Sequence, residues 1–368
     1  MSEAQPEGSE GRIRGVKLYL MNNKFRNIFM AFGIIAIIIM LCTMDMDYTD
    51  IWRYLKQAGI YFPLILGLWL VVYWVNTVSW WLIINDEGRV KGLSFWRVYK
   101  LTVSGFALNY TTPCGLMGGE PYRIMELKPF TGVSKATSSV ILYVMMHIFS
   151  HFWFWFLSVF LYIALYPIGV PMGIMLGFIA AFCLLGIYFF SRGYKTGMAQ
   201  KGIRLLTHIP FVKNWAKRFA QEKQETLEQI DSQIALLHGQ HKSTFYSSLF
   251  FEVMARVLQS LEIYLILKAF AADISIADSI LILAFSSLFS NLIFFSPMQL
   301  GAREGGLALA VDGLHLTGAL GVYTGLITRI RELVWIAIGI LLIKVGNKDL
   351  KKIQAEYEED QKRKLQNK

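Results

Sequence analysis

Two short stretches decide how this chain is read: TPCGLMGGE, Thr112–Glu120, and SPMQLGARE, Ser296–Glu304. Each puts a hydroxyl residue before a proline and a glutamate seven positions after it, and the two are 184 residues apart. The same offset carries Tyr61 to Phe245 and His147 to Arg331. Each stretch closes a short apolar tract, Leu101–Thr112 and Ile280–Ser296, and each lies between two longer ones. The order is therefore shared as well as the motif: long tract, short tract, proline and glutamate, long tract. A duplicated unit of this kind is the first thing to look for in a sequence.

The surroundings are those of a membrane protein. Of 368 residues, 55% are hydrophobic and only 17% charged, against roughly one quarter charged in soluble domains. Six tracts reach the length of about 20 apolar residues that a spanning helix needs: Phe25–Thr43, Tyr61–Ile84, Ala136–Tyr166, Met172–Ser191, Phe245–Ala271 and Thr317–Val345. The first follows a polar segment, 1–24, without a small-x-small cleavage pattern, and reads as a retained anchor.

With the amino terminus in the cytoplasm, 29 of the 36 lysines and arginines fall on the inner side, while the outer segments 44–60 and 272–316 hold three basic and seven acidic residues. This asymmetry puts both termini in the cytoplasm, in a plasma (inner) membrane. It also gives the net charge of +10 a role in orientation and in attraction to anionic lipid, not in nucleic-acid binding. The first copy of the unit then begins outside and the second inside. The copies are related by an axis in the membrane plane, a device of secondary transporters whose substrate site lies at broken helices near the midplane.

The expected architecture is an all-α integral membrane protein of about six spans plus two re-entrant hairpins. One half covers 25–191 with its re-entrant motif at 94–127; the other covers 245–345 with its motif at 277–316. A second crossing at 280–296 would place the lysine-rich tail, 346–368, outside, which favours a hairpin there. Between the halves, 192–244 reads as an amphipathic cytoplasmic linker, apolar at Phe211, Trp215, Phe219, Leu227, Ile230, Ile234 and Leu237. Cys42, Cys114 and Cys183 are scattered and define neither a disulfide framework nor a metal site.

Helix breakers and charge belong together where a helix breaks inside a bilayer, because freed backbone groups there need partners or a water-filled cavity. Pro113, Gly118, Gly119, Pro297 and Gly301 would set that geometry, with Gly115 beside them. Glu120 and Glu304 would stand in the first turn of the returning helices, either satisfying exposed amides and the positive helix end or lining a substrate path. Arg123 lies one turn after Glu120, and Arg303 directly precedes Glu304, so each motif offers both signs of charge. A phosphate headgroup wants guanidinium groups and helix-terminal amides; an aminoacylated one also wants a carboxylate.

Elsewhere, Glu252, Arg256, Gln259 and Glu262 share one side of a helix, where Glu252 and Arg256 are spaced to pair. Arg329 and Glu332 are one turn apart, with Arg331 on a different face. His147 and His151 are an i, i+4 pair without a third ligand, which fits interior hydrogen bonding or contact with phosphate better than a metal site. Asp45–Asp47, DMD, has no nucleotide-binding fold around it, and no P-loop, Gly-x-Ser-x-Gly or dinucleotide fingerprint is present, so no cofactor is expected.

TPCGLMGGEPYRI and SPMQLGAREGGLAL resemble the two signatures, Pro then Gly-Gly-Glu/Asp-x-x-Arg and Pro then Gly-x-Arg-Glu-Gly, of the flippase-like transmembrane domain of lysylphosphatidylglycerol synthases. The likeness runs over roughly 25–345. It implies a polytopic helical protein that moves lipids between leaflets, with aminoacylated phosphatidylglycerol as cargo in some members and hopanoid or polyprenyl pathways in others. Bifunctional members carry an aminoacyl transferase domain after the membrane part; no such domain follows here, so synthase activity is not expected. Many members have an arginine after the first signature where this chain has His147 and His151.

The expectation is a flippase or transporter for a phosphate-containing lipid. Glu120, Arg123, Arg303 and Glu304 would form the headgroup site, with His147, His151 and Arg331 as further candidates. The alternative is an integral-membrane transferase or hydrolase on a lipid-linked substrate, with Glu120 or Glu304 as base.

Overall fold

The computed structural model describes residues 27, 28, 31, 48–111, 118–192, 239–270, 272–292, 302–314 and 316–345. The expected span Phe25–Thr43, nearly all of the linker and the charged tail lie outside the described residues. Regular structure among the described residues is helical throughout: α1 Tyr48–Ala58, α2 Tyr61–Ile84, α3 Phe95–Thr111, α4 Gly119–Leu165, α5 Val170–Arg192, α6 Lys242–Ala269, α7 Ile276–Leu292, α8 Ala302–Asp312 and α9 Gly318–Leu342. Helices are what such tracts must form, since each backbone donor in hydrocarbon has to find its acceptor within its own segment.

Three of these helices, Tyr61–Ile84, Gly119–Leu165 and Val170–Ser191, are long and apolar enough to cross a membrane. α6 and α9 have the length, at 28 and 25 residues, but carry charged side chains in mid-helix that keep them from reading as purely apolar spans. Those charges face inward: Glu252, Arg256, Glu262, Arg329, Arg331 and Glu332 are all buried. α5 does the reverse, with Phe178, Phe182, Leu184 and Leu185 exposed along its outer surface. α4 breaks at Gly132, where φ is 81° and ψ 168°, a conformation open to glycine and strained for other residues. Pro129, which lacks an N–H, precedes the break. The arm 119–131 thus leaves the long apolar arm 133–165 at an angle.

α2 and α6 run antiparallel along each other. Ser79 and Ser248 each donate from the hydroxyl to the other's carbonyl, at 3.2 and 3.4 Å, while ten residues back along α2 the Trp69 indole meets Glu262, further along α6, at 2.9 Å. α3 packs on α9, where Gly339 has no side chain to collide with Ala107 and the carbonyl of Val103. α7 packs on α4, where Trp155 Nε1 donates to Ser287 Oγ at 2.9 Å. These two contacts correspond by number: adding 184 to Val103 gives Ser287, and subtracting it from Gly339 gives Trp155. Helix order corresponds in the same way, α2, α3 and the two arms of α4 matching α6, α7, α8 and α9.

The apolar core is continuous with the charged interior. One cluster gathers Trp80, Tyr143, Met146 and Phe149 between α2 and α4; another joins Trp69 and Tyr73 of α2 to Ile266 of α6 and Ile327 and Trp335 of α9.

Candidate functional site

A cavity of about 550 Å³ lies where α2, α3, α4, α6, α7, α8 and α9 converge. Glu120, Arg123, His147, His151, Arg303 and Arg331 all line it. Glu304 falls in α8, but its side chain is outside the described residues, as are Pro113, Gly115, Pro297 and Gly301. Gly118 and Gly119 stand at the start of α4.

The first motif is organised by a residue with no spacing signature, Asn109. Its Oδ1 accepts from the Gly119 amide at 2.7 Å and its Nδ2 donates to Glu120 Oε1 at 2.8 Å. Asn109 therefore meets the amide that the first-turn glutamate was expected to serve. Glu120 turns instead toward Asn109 and Arg123, the latter at 3.5 Å, and its Oε2 is buried without a hydrogen-bond partner.

Arg123 is 1% exposed. It donates to the carbonyls of Leu101 and Thr102 at 3.5 and 3.3 Å. The rings of Trp80, Phe106 and Tyr143 surround its guanidinium at 5.6, 4.9 and 5.3 Å, within cation–π range. Gly105 makes this lodging fit: a β-carbon there would run into the guanidinium.

The second motif is held by α9 and α6. Arg303 is bonded to Glu332, whose other oxygen faces Arg329 at 3.4 Å, as the one-turn spacing of Arg329 and Glu332 anticipates. Arg331 clamps Glu262 with two bonds of 2.8 and 2.9 Å, lies 3.8 Å from the Trp69 ring centre, and reaches Glu332 at 3.9 Å. Arg331 Nη1 has no hydrogen-bond partner. Two-point geometry of this kind is the strong form of arginine–carboxylate contact.

The pairing expected between Glu252 and Arg256 is corrected. Glu252 Oε2 meets His147 Nδ1 at 2.8 Å, whereas Arg256 donates to Ser150 Oγ at 2.9 Å and to the His147 carbonyl at 2.8 Å. Helix spacing puts the two side chains on one face of α6, but α4 lies against that face and supplies each with a better placed partner. His151 stacks edge-on against His147, with ring centres 5.7 Å apart, and its Nδ1 is unpartnered.

The cavity can therefore offer cations and carboxylates side by side, walled by Trp69, Tyr73, Phe106 and Tyr143. Sequence reasoning missed Asn109 and this aromatic wall. The available signal was slight: one amide in the apolar run LTVSGFALNYTT, and aromatic residues indistinguishable from core.

A helical membrane domain with its charges turned inward around one cavity is the class that fold and site define. The chain belongs to the family described as the lysylphosphatidylglycerol synthase TM region, whose model matches residues 28–339. That membership agrees with integration into a membrane and with a function connected to membrane lipid. No curated protein and no solved structure matches the chain.

Proposed function

We propose that this protein moves a phosphate-containing lipid between the leaflets of the plasma (inner) membrane, with both termini in the cytoplasm. One observation carries the reading: a single cavity collects charged residues of both motifs, Glu120 and Arg123 from one and Arg303 from the other. Arg303 and Arg331 suit a phosphate, and the unpartnered Glu120 Oε2 suits an ammonium, so an aminoacylated or zwitterionic headgroup is within reach of the same site. Acyl or prenyl chains remain in the surrounding lipid.

An inverted repeat would supply a mechanism. The antiparallel packing of α2 on α6 and the numerical correspondence of the α3–α9 and α4–α7 contacts are what two copies related by an axis in the membrane plane require. The hairpins α3 with the 119–131 arm, and α7 with α8, would then re-enter without crossing and meet at the cavity. Rocking one copy against the other opens the cavity to each leaflet in turn.

The test is a leaflet-resolved assay with purified protein in liposomes. Acyl-labelled phosphatidylglycerol, its lysyl ester and diacylglycerol are each exposed to a quencher confined to the outer side. Protein-dependent exchange of the two phosphate lipids with unchanged chemical composition is the expected result. A new covalent product identifies the transferase or hydrolase alternative and sinks the transport reading, as does equal exchange of diacylglycerol.

A further inference from the structure

We infer that Glu252 and His147 together form a proton-binding site, so that the lipid headgroup and a proton cross as one unit. The inference rests on the transport reading above and supplies its driving force.

Glu252 is 0% exposed, yet one of its oxygens touches His147 Nδ1 at 2.8 Å and the other has no hydrogen-bond partner. A buried carboxylate left half satisfied is costly when ionised and unshared. His147 lines the cavity, with its side chain 27% exposed, whereas Glu252 stands behind it and does not. Of the two, the imidazole is the one in contact with both the cavity and the buried carboxylate. Arg256 is one helical turn from Glu252 but is committed to Ser150 and to the His147 carbonyl, so its charge is fixed beside the pair without taking the carboxylate.

The other charged or titratable groups facing the pair are Arg123, Tyr143 and His151 from α4, with Tyr73 of α2 and Tyr110 of α3 behind them, next to Tyr143 and Arg256. Arginine and tyrosine keep their protons at every relevant pH, leaving the histidines and Glu252 as the exchangeable members. His151 touches His147 edge-on without a hydrogen bond between them, so the bonded unit is His147 with Glu252.

The coupling follows from charge. Adding one proton to the pair raises the charge of the wall by one, and a phosphate monoanion in the cavity restores it. By linkage the proton and the phosphate strengthen each other's binding by the same factor. They therefore enter together and leave together, and the loaded cavity carries no net added charge through the rocking step.

The experiment uses liposomes holding the full-length protein, acyl-labelled phosphatidylglycerol and an internal pH dye, with the membrane potential clamped by potassium and valinomycin. With one proton per lipid, acidifying the outside by one pH unit shifts the inner-to-outer ratio of the reporter by about tenfold toward the inside, since one pH unit is worth about 1.36 kcal/mol. The dye reports protein-dependent proton entry in step with that shift. Glu252→Gln, which lies outside the cavity lining, abolishes both the shift and the proton entry while exchange without a gradient continues; His147→Gln also abolishes the shift and the proton entry, with slower gradient-free exchange because His147 lines the cavity.

If wild-type protein exchanges the reporter but leaves it evenly distributed at every gradient, the proton site is refuted and the transport reading stands. If wild-type protein exchanges no phosphate lipid, both fall. A Glu252→Gln protein that folds, as judged by size-exclusion chromatography, and still follows the gradient places the proton elsewhere and refutes this site. Should both variants fail to fold, the wild-type measurement decides alone.

Discussion

Replacing Glu262 by glutamine removes the carboxylate that joins three helices, since it receives Arg331 of α9 through two bonds and the Trp69 indole of α2 from its own place on α6. Both charged side chains are only 4% exposed. Two magnitudes compete. Interhelical hydrogen bonds in a bilayer average about 0.6 kcal/mol, so three of them give roughly 2 kcal/mol. Orphaning a buried charge costs about 3–5 kcal/mol, and glutamine leaves Arg331 with the 3.9 Å approach of Glu332, which already serves Arg303 and Arg329, as its remaining carboxylate contact.

The second effect is larger, so the expected loss is about 3 kcal/mol or more, on the order of a hundredfold in the unfolding equilibrium. Titration with sodium dodecyl sulfate in mixed micelles, followed by circular dichroism, measures it. The double variant Glu262→Leu/Arg331→Met removes both charges and should recover at least half of the loss, because an apolar pair often substitutes for a buried ion pair. A single-variant loss under about 1 kcal/mol, or a double variant no better than the single, refutes the assignment of the cost to a stranded cation.

Gly105→Ala drives Arg123 off the carbonyls of Leu101 and Thr102 and is expected to cost about 1–3 kcal/mol with reduced lipid exchange; wild-type stability in the same titration argues against the caged geometry. Asn109→Leu strands the Gly119 amide and one Glu120 oxygen and should cost about 1–3 kcal/mol, with faster hydrogen exchange at the start of α4 as the readout. Gly132→Ala sits at a φ of 81° and is expected to destabilise by about 1–3 kcal/mol, more than Gly177→Ala, where an added β-carbon has open space; equal effects count against the kink. Glu120→Gln should slow exchange of lysyl-phosphatidylglycerol more than of phosphatidylglycerol, and an equal slowing of both removes the ammonium role assigned to Oε2.

The membrane character, the helical content and the family were legible because each rests on long runs or on a motif in fixed order. The tie between Thr112–Glu120 and Ser296–Glu304 also named residues that the fold brings together, since Glu120, Arg123 and Arg303 line one cavity. Partner choice was not legible. Glu252 finds His147, 105 residues away, and Arg303 finds Glu332, 29 residues on, because packing decides which neighbouring helix comes nearest. Spacing along one helix shows only which residues share a face. Asn109 was hidden for a related reason: a single amide in an apolar tract acquires its meaning from the broken helix end that folds back onto it.

The arginines of the cavity have one further consequence. Arg123, Arg303 and Arg331 each already face a carboxylate of this chain. Under the proposed function, a phosphate drawn to these three arginines would not fill a vacancy; it would displace Glu120, Glu332 or Glu262, and on its departure the protein's own anion would return. Affinity would then be the small difference between two similar ion pairs, and residence would be short in either direction. A site that supplies its own competitor is poorly suited to storing a lipid and well suited to letting one go.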